Sequence, residues 1–153
     1  MNEKFFDLKK EKQDRMINAS LKVFAMNGYA HASTDDIVRE AGISKGLLFH
    51  YFVSKLGLYS FIYDYSIRYV ILELTTGVDK EETDYFRLVG QIREAELQVM
   101  RNYPCMMLFL NNSRLENVNE VLLETEDKRN ILSEKYAQIL SQATGEELDE
   151  RLS

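Results

Sequence analysis

Tryptophan is absent from this chain, and proline and cysteine occur once each, as Pro104 and Cys105. A lone cysteine excludes an internal disulfide, which fits a reducing compartment rather than a secreted, disulfide-stapled domain. A lone proline leaves long stretches free to run as unbroken helix. Long apolar runs are missing too. Cys105–Leu110 is among the longest, far short of the roughly 20 residues that span a bilayer. The opening residues, MNEKFFDLKK, are charged and lack the apolar segment of a secretory leader. A soluble, cytoplasmic protein without membrane attachment is therefore expected. The two histidines, His31 and His50, have no Cys or second His at metal-ligand spacing. Cys105 has no neighbouring base and reads as a buried thiol. There is no glycine-rich phosphate loop, and the acidic pairs Glu81-Glu82 and Glu146-Glu147 stand at expected helix starts. No catalytic constellation emerges; no enzyme, cofactor or metal is expected.

What is present points to an ordered all-α chain. Apolar residues make up 45% of 153 residues, and at this length about two thirds of the unfolded surface can be buried. The net charge of −6 is unevenly divided. Residues 1–56 carry nine Lys or Arg against seven Asp or Glu, a net of +2. Residues 57–153 carry ten against eighteen, a net of −8. A basic end beside an acidic remainder suits phosphate binding with little non-specific sticking. Ordinary solvated helices also carry a balance of this size.

The stretch Ser33–Lys55, STDDIVREAGISKGLLFHYFVSK, organises the rest. Ser33 reads as an N-cap with Asp36 at the capping-box position, and Ile37, Val38 and Ala41 form an apolar face. Gly42 supplies a left-handed stop. Ser44 caps a second helix in which Leu48 and Phe52 face inward. Helix, glycine-containing turn, helix is the helix-turn-helix pattern. Its remaining face offers Lys45, Gly46, Leu47, Phe49, His50 and Tyr51: a cation, a small residue for close approach, and groups able to donate to phosphate or base edges. Lys55 follows at the next helix start, where anions are attracted. A plain helical corner would show the same spacing.

The residues Gly28-Tyr29, Ser33-Thr34, Asp36-Ile37, Ala41-Gly42-Ile43-Ser44-Lys45-Gly46, Tyr51-Phe52, Ser54-Lys55 and Leu58 closely resemble the TetR/AcrR family of bacterial transcriptional regulators. The likeness covers about the first seventy residues. It implies a DNA-binding domain over residues 11–71, with its helix-turn-helix at 34–53, and a helical regulatory domain over 72–153. It implies double-stranded operator DNA as partner, recognition by the helix Ser44–Phe52, and contacts from Thr34, Ser44, Lys45, Gly46, Leu47, Phe49, His50, Tyr51 and Lys55. It further implies a homodimer and repression relieved by a small-molecule effector. The family's fold includes two further C-terminal helices for dimerisation, and the chain ends before them. Either the sequence is a truncated product or Leu115–Leu140 builds the dimer. The alternative function is an architectural or cell-division DNA binder with a protein partner and no small ligand. An all-α module that never meets DNA is a third.

The other segments are read by periodicity. Met1–Lys10 reads as a frayed lead-in, and Lys9, Lys10 and Lys12 touch phosphate or belong to a solvated helix start. A helix from Glu11 to Asn27 buries Ile17, Leu21 and Phe24, with Gly28 as its stop. Ser54 caps a long helix reaching about Thr76, apolar almost all round and so buried on several sides. Its tyrosines line a pocket or form core. After an acidic linker at Val78–Thr83, Asp84 to about Asn102 is a helix. Pro104 opens a short one, interrupted at Asn111-Asn112-Ser113. Leu115–Gln142 is one helix or two, ended by Thr144-Gly145, and Glu146–Ser153 reads as a new helix. Tyr65, Tyr69, Met100, Met107 and Phe109 are the candidate effector-pocket residues, although such tyrosine and methionine clusters equally make core.

Overall fold

The computed structural model describes residues 3–144, all of whose regular elements are helical. The expected stop at Gly145 and the helix over 146–153 lie outside the described residues. The α-helices are α1 (Lys10–His31), α2 (Thr34–Ala41), α3 (Lys45–Phe52), α4 (Lys55–Gly77), α5 (Tyr85–Asn102), α6 (Met106–Ser113), α7 (Asn119–Glu124) and α8 (Ile131–Leu140).

From Glu3 onward the lead-in is not frayed. Glu3–Asp7 is a 3-10 turn whose Phe5 is 0% exposed. Its ring meets Phe52 at 5.5 Å and Phe61 at 5.0 Å, and Gln13 Nε2 donates to the carbonyls of Phe6 and Leu8. An aromatic side chain at that register outweighs the polar residues around it, because only its burial lowers the free energy appreciably.

Gly28 breaks α1 as expected, with φ 71° and ψ 174°, a region open essentially to glycine. A further turn follows before α2. The apolar circumference of α4 is accounted for: α4 packs against α1, α3, α5, α6, α7 and α8. Leu58, Ile62, Ile67, Val70 and Leu74 are all buried along it. One continuous core therefore runs from Phe5 to Ile139. The boundary drawn at residue 71 falls inside α4.

One local expectation changes and one open alternative closes. Asn111–Ser113 do not interrupt α6, since Asn112 Nδ2 donates to the Ala25 carbonyl and Ser113 Oγ to that of Leu110. Polar residues with partners close at hand need not break a helix. Leu115–Gln142 resolves into two helices. Thr125 ends α7, a 3-10 turn spans Glu126–Lys128, and α8 begins at Ile131.

Candidate nucleic-acid interface

Short-range bonds set every boundary between Ser33 and Gly57. Ser33 Oγ accepts from the N–H groups of Asp35 (3.1 Å) and Asp36 (3.4 Å) and starts α2. Gly42, at φ 67°, ends it, and the Ile43 N–H returns to the Val38 carbonyl at 3.1 Å. That is the six-to-one bond of a Schellman closure. Ser44 Oγ accepts from Leu47 N–H at 3.1 Å and starts α3. Leu48 and Phe52 are buried, which pins one face of α3 to the core. Ser44, Lys45, Gly46 and His50 are exposed, while Leu47, Phe49, Tyr51 and Thr34 are half-buried. The His50 ring stands edge-on to Tyr51 at 5.0 Å.

The turn from α3 into α4 goes beyond the sequence reading. Ser54 N–H donates to the Phe52 carbonyl at 2.6 Å, closing a three-residue turn around Val53 at φ 66°, ψ −46°. That conformation is rare and strained, most of all for a β-branched residue. The Phe52 carbonyl then lies against Gly57, where an added Cβ would stand 2.2 Å from its oxygen. Gly57 N–H in turn caps onto Ser54 Oγ at 3.0 Å. Its one sequence signal is Ser-Lys-Leu-Gly, which puts glycine at the third helical position, where a side chain is normally favourable.

Both lysines among the candidate contact residues, Lys55 and Lys45, are engaged within the chain. Lys55 Nζ donates to the carbonyls of Tyr29 (2.8 Å), Ala32 (3.3 Å) and Ala30 (3.5 Å), and lies 4.3 Å from the Tyr29 ring centre. The break at Gly28 removes these carbonyls from a regular helix, and the ammonium satisfies them. Lys55→Met is expected to lower the unfolding free energy by about 1.5–3 kcal/mol, the range for hydrogen bonds to a charged donor. An unchanged thermal midpoint would show that water replaces the ammonium without loss.

Lys45 Nζ pairs with Asp35 Oδ1 at 2.9 Å, and that hydrogen bond and charge hold the Asp35 carboxyl below its ordinary range. Lys22 pairs likewise with Glu40, and Arg39 with Asp36. Asp35→Asn frees Lys45 and removes a charge that repels phosphate. Duplex affinity should rise several-fold at low salt, with the gain shrinking as salt is added. Fluorescence anisotropy with a labelled duplex reads this directly; an equal or weaker affinity would place Lys45 away from DNA.

The candidate pocket residues are dispersed. Tyr65 and Tyr69 stack at 6.1 Å and both meet Tyr103 edge-on. Phe109 is buried among Phe24, Tyr59 and Tyr63. Met107 is half-buried, and Met100 is 40% exposed. A cavity of about 390 Å³ opens instead between α4, α6 and α8, with none of the five in its lining. Tyr63, one of the α4 tyrosines, and Ile67 are part of its wall, on nearly the opposite side of the helix from Tyr65 and Tyr69.

Two sets of contacts tie the C-terminal helices to α1 and α4, the helices on either side of the helix-turn-helix. Tyr103 donates to Asp14 on α1 at 3.1 Å and receives Lys10 at 3.2 Å. With its one O–H spent, Tyr103 accepts from Tyr65. Burial pushes the Tyr103 phenol up to about 12, so it stays protonated at neutral pH. On the other side Asp64, nearly buried, receives Arg68 at 2.9 Å and Lys128 at 3.0 Å. Next to it Ser60 donates to Glu124 at 3.0 Å.

Residues 16–60 match the profile of bacterial regulatory proteins of the tetR family. Among curated proteins, the uncharacterized HTH-type transcriptional regulator YuxN of Bacillus subtilis is 38% identical over 93 residues, covering 58% of this chain and 32% of YuxN. YerO of the same organism, described in the same words, is 42% identical over 48 residues, covering 31% of this chain and 17% of YerO. TtgW of Pseudomonas putida, again so described, is 40% identical over 47 residues, covering 31% of this chain and 35% of TtgW. The matched part thus spans about a third or less of each relative's length. Among the described residues, no helix is long and apolar enough to cross a membrane.

Proposed function

We propose, from the match of residues 16–60 to bacterial regulatory proteins of the tetR family, that this chain is a sequence-specific DNA-binding repressor released by a small-molecule effector. It acts in the cytoplasm as a homodimer, each copy placing α3 in a half-site of a two-fold operator. The observation that carries this reading is the outward face of α3. Its cap, its buried anchors Leu48 and Phe52, and its junction at Gly57 leave Lys45, Gly46 and His50 presented to solvent. Lys45 and His50 read base edges or phosphate. Ser44, Tyr51 and Thr34 donate hydroxyls to the backbone, and Leu47 and Phe49 supply apolar contact. Lys55 contributes by holding the end of α1 against α4 and adding positive charge beside the duplex.

The cavity between α4, α6 and α8 favours an effector over the architectural alternative, which needs no internal space. Effector occupancy must favour one spacing of the two α3 helices over another, since a ligand shifts an equilibrium only by its differential affinity. Selection of bound duplexes from a random pool tests the reading. A two-fold site is expected, and recovery of unselected sequence would overturn it.

Gly46 permits a sharper check. A Cβ at Gly46 meets nothing within 4 Å. Gly46→Ala should therefore stabilise the free protein by about 0.5–1 kcal/mol, as Gly→Ala within a helix does. Duplex binding should nevertheless weaken, because the extra methyl holds α3 off the DNA. Stability and affinity moving together would remove Gly46 from the interface.

A further inference from the structure

The cavity between α4, α6 and α8 has a floor of buried Tyr63, Ile67 and Leu110 and a rim bearing Arg114 and Arg129. Neither arginine has an ion-pair partner among the described residues. Their neighbours Arg68 and Lys128, by contrast, both pair with Asp64. Two unpaired guanidinium groups above an apolar floor are well hydrated while the cavity is open. They also favour an anionic head whose tail fills the floor. The geometry points to an amphipathic monocarboxylate as the effector of this chain, held by Arg114 and Arg129 with its apolar body on Tyr63, Ile67 and Leu110. This rests on the effector reading given above.

Three observations support it. At about 390 Å³ the cavity falls at the small end of the ~300–1,000 Å³ usual for ligand sites, which suits a compact ligand. The planar fork of arginine matches a carboxylate bidentately, as lysine cannot. The charge of Arg129 reaches into the cavity: burial raises the Tyr63 phenol, and Arg129 acts in the opposite direction. Tyr136 also lines the space but spends its hydroxyl on Glu96 at 2.7 Å, so it offers its ring.

The same segment supplies a route to DNA. Arg129 follows Lys128, whose ammonium is bound to Asp64, and Glu124 is held by Ser60. Glu124, Lys128, Ser60 and Asp64 border a second hollow closed by Tyr51 and Phe52, the last residues of α3. A carboxylate that draws Arg129 over the cavity displaces the 124–128 turn from α4. The C-terminal end of α3 then loses one wall of its seat.

The test is calorimetric titration of the full chain with octanoate, and with 1-octanol as the neutral match, in parallel with anisotropy on the selected duplex. Octanoate is expected to bind one per chain and at least about tenfold tighter than octanol, the worth of one charge-assisted pair. Arg129→Gln and Arg114→Gln should each cost octanoate about that factor and leave octanol unchanged; both side chains are exposed, so folding is not at stake. Equal affinities for acid and alcohol, or a double variant that binds octanoate as well as the parent, would overturn the assignment. Octanoate binding that depends on both arginines but leaves duplex affinity unchanged would uphold the ligand class and sink the effector reading. Release of the duplex by a metabolite extract, unaltered in the double variant, would do the reverse.

Discussion

Replacing Phe5 by Ala is expected to lower the unfolding free energy by about 3–5 kcal/mol, the usual cost of emptying a buried phenylalanine site. Phe5 is fully buried, and its ring touches Phe6, Tyr51, Phe52 and Phe61 at centroid distances of 5.0 to 6.0 Å. The cavity left behind would border both the end of α3 and the first turns of α4. The rings of Phe52 and Phe61, 4.9 Å apart, can close only part of it without moving the backbone they hang from. The variant should therefore bind duplex more weakly even at temperatures where it remains folded. Denaturant unfolding with matched anisotropy gives both numbers. A loss under about 1 kcal/mol, well below the range for such truncations, would mean that the N-terminal turn is dispensable. Phe5→Leu keeps most of the buried volume and should recover much of the loss.

Gly57→Ala should cost less stability and act mainly on recognition, by a different mechanism. The added Cβ would lie 2.2 Å from the Phe52 carbonyl oxygen, and the obstacle is backbone. No rotamer change relieves it; α3 must lift away from the start of α4. Overpacking of this kind costs about 1–3 kcal/mol and sometimes more. A compensating gain in helix propensity of about 0.5–1 kcal/mol offsets only part. The displaced element is the one that would enter the major groove, so specific binding should fall by far more than the stability change implies. Non-specific binding, which depends on charge rather than on register, should fall less. Equal loss on selected and random duplexes would argue that the α3–α4 angle does not matter for recognition. The strained Val53 lies in the same turn, with φ 66°. Together the two residues show how little slack the junction has.

Most of the helix-turn-helix was legible because its signals are local. Ser33, Ser44 and Ser54 cap helices through bonds two or three residues away, and Gly42 stops one through its own backbone angle. Local chemistry of this type is written in consecutive letters. The same holds for Gly28 and for the all-round apolarity of α4, which demanded neighbours on every side without naming them. Neither feature needed a fold to be recognised.

The rest depended on which distant surfaces meet. Phe5, with Phe6 and Leu8, looks like a scatter of apolar residues in a polar segment until Phe52 and Phe61, about fifty residues on, are brought around it. Lys55 reads as a free cation because the carbonyls that hold it, at Tyr29 to Ala32, are exposed only by the break at Gly28. Gly57 is required by a carbonyl of the preceding helix, which nothing in its neighbouring letters reveals beyond a glycine where a side chain is favoured. The cavity lies on nearly the opposite side of α4 from Tyr65 and Tyr69, at Tyr63 and Ile67. There α6 and α8 stop short of closing over the helix, while Tyr103, at the end of α5, covers the first pair. Caps, stops and amphipathic faces follow from interactions within a few residues, so the chain's order settles them. Which carbonyl an ammonium reaches, and which side of a helix stays hollow, follow from how those helices cross, and only packing decides that.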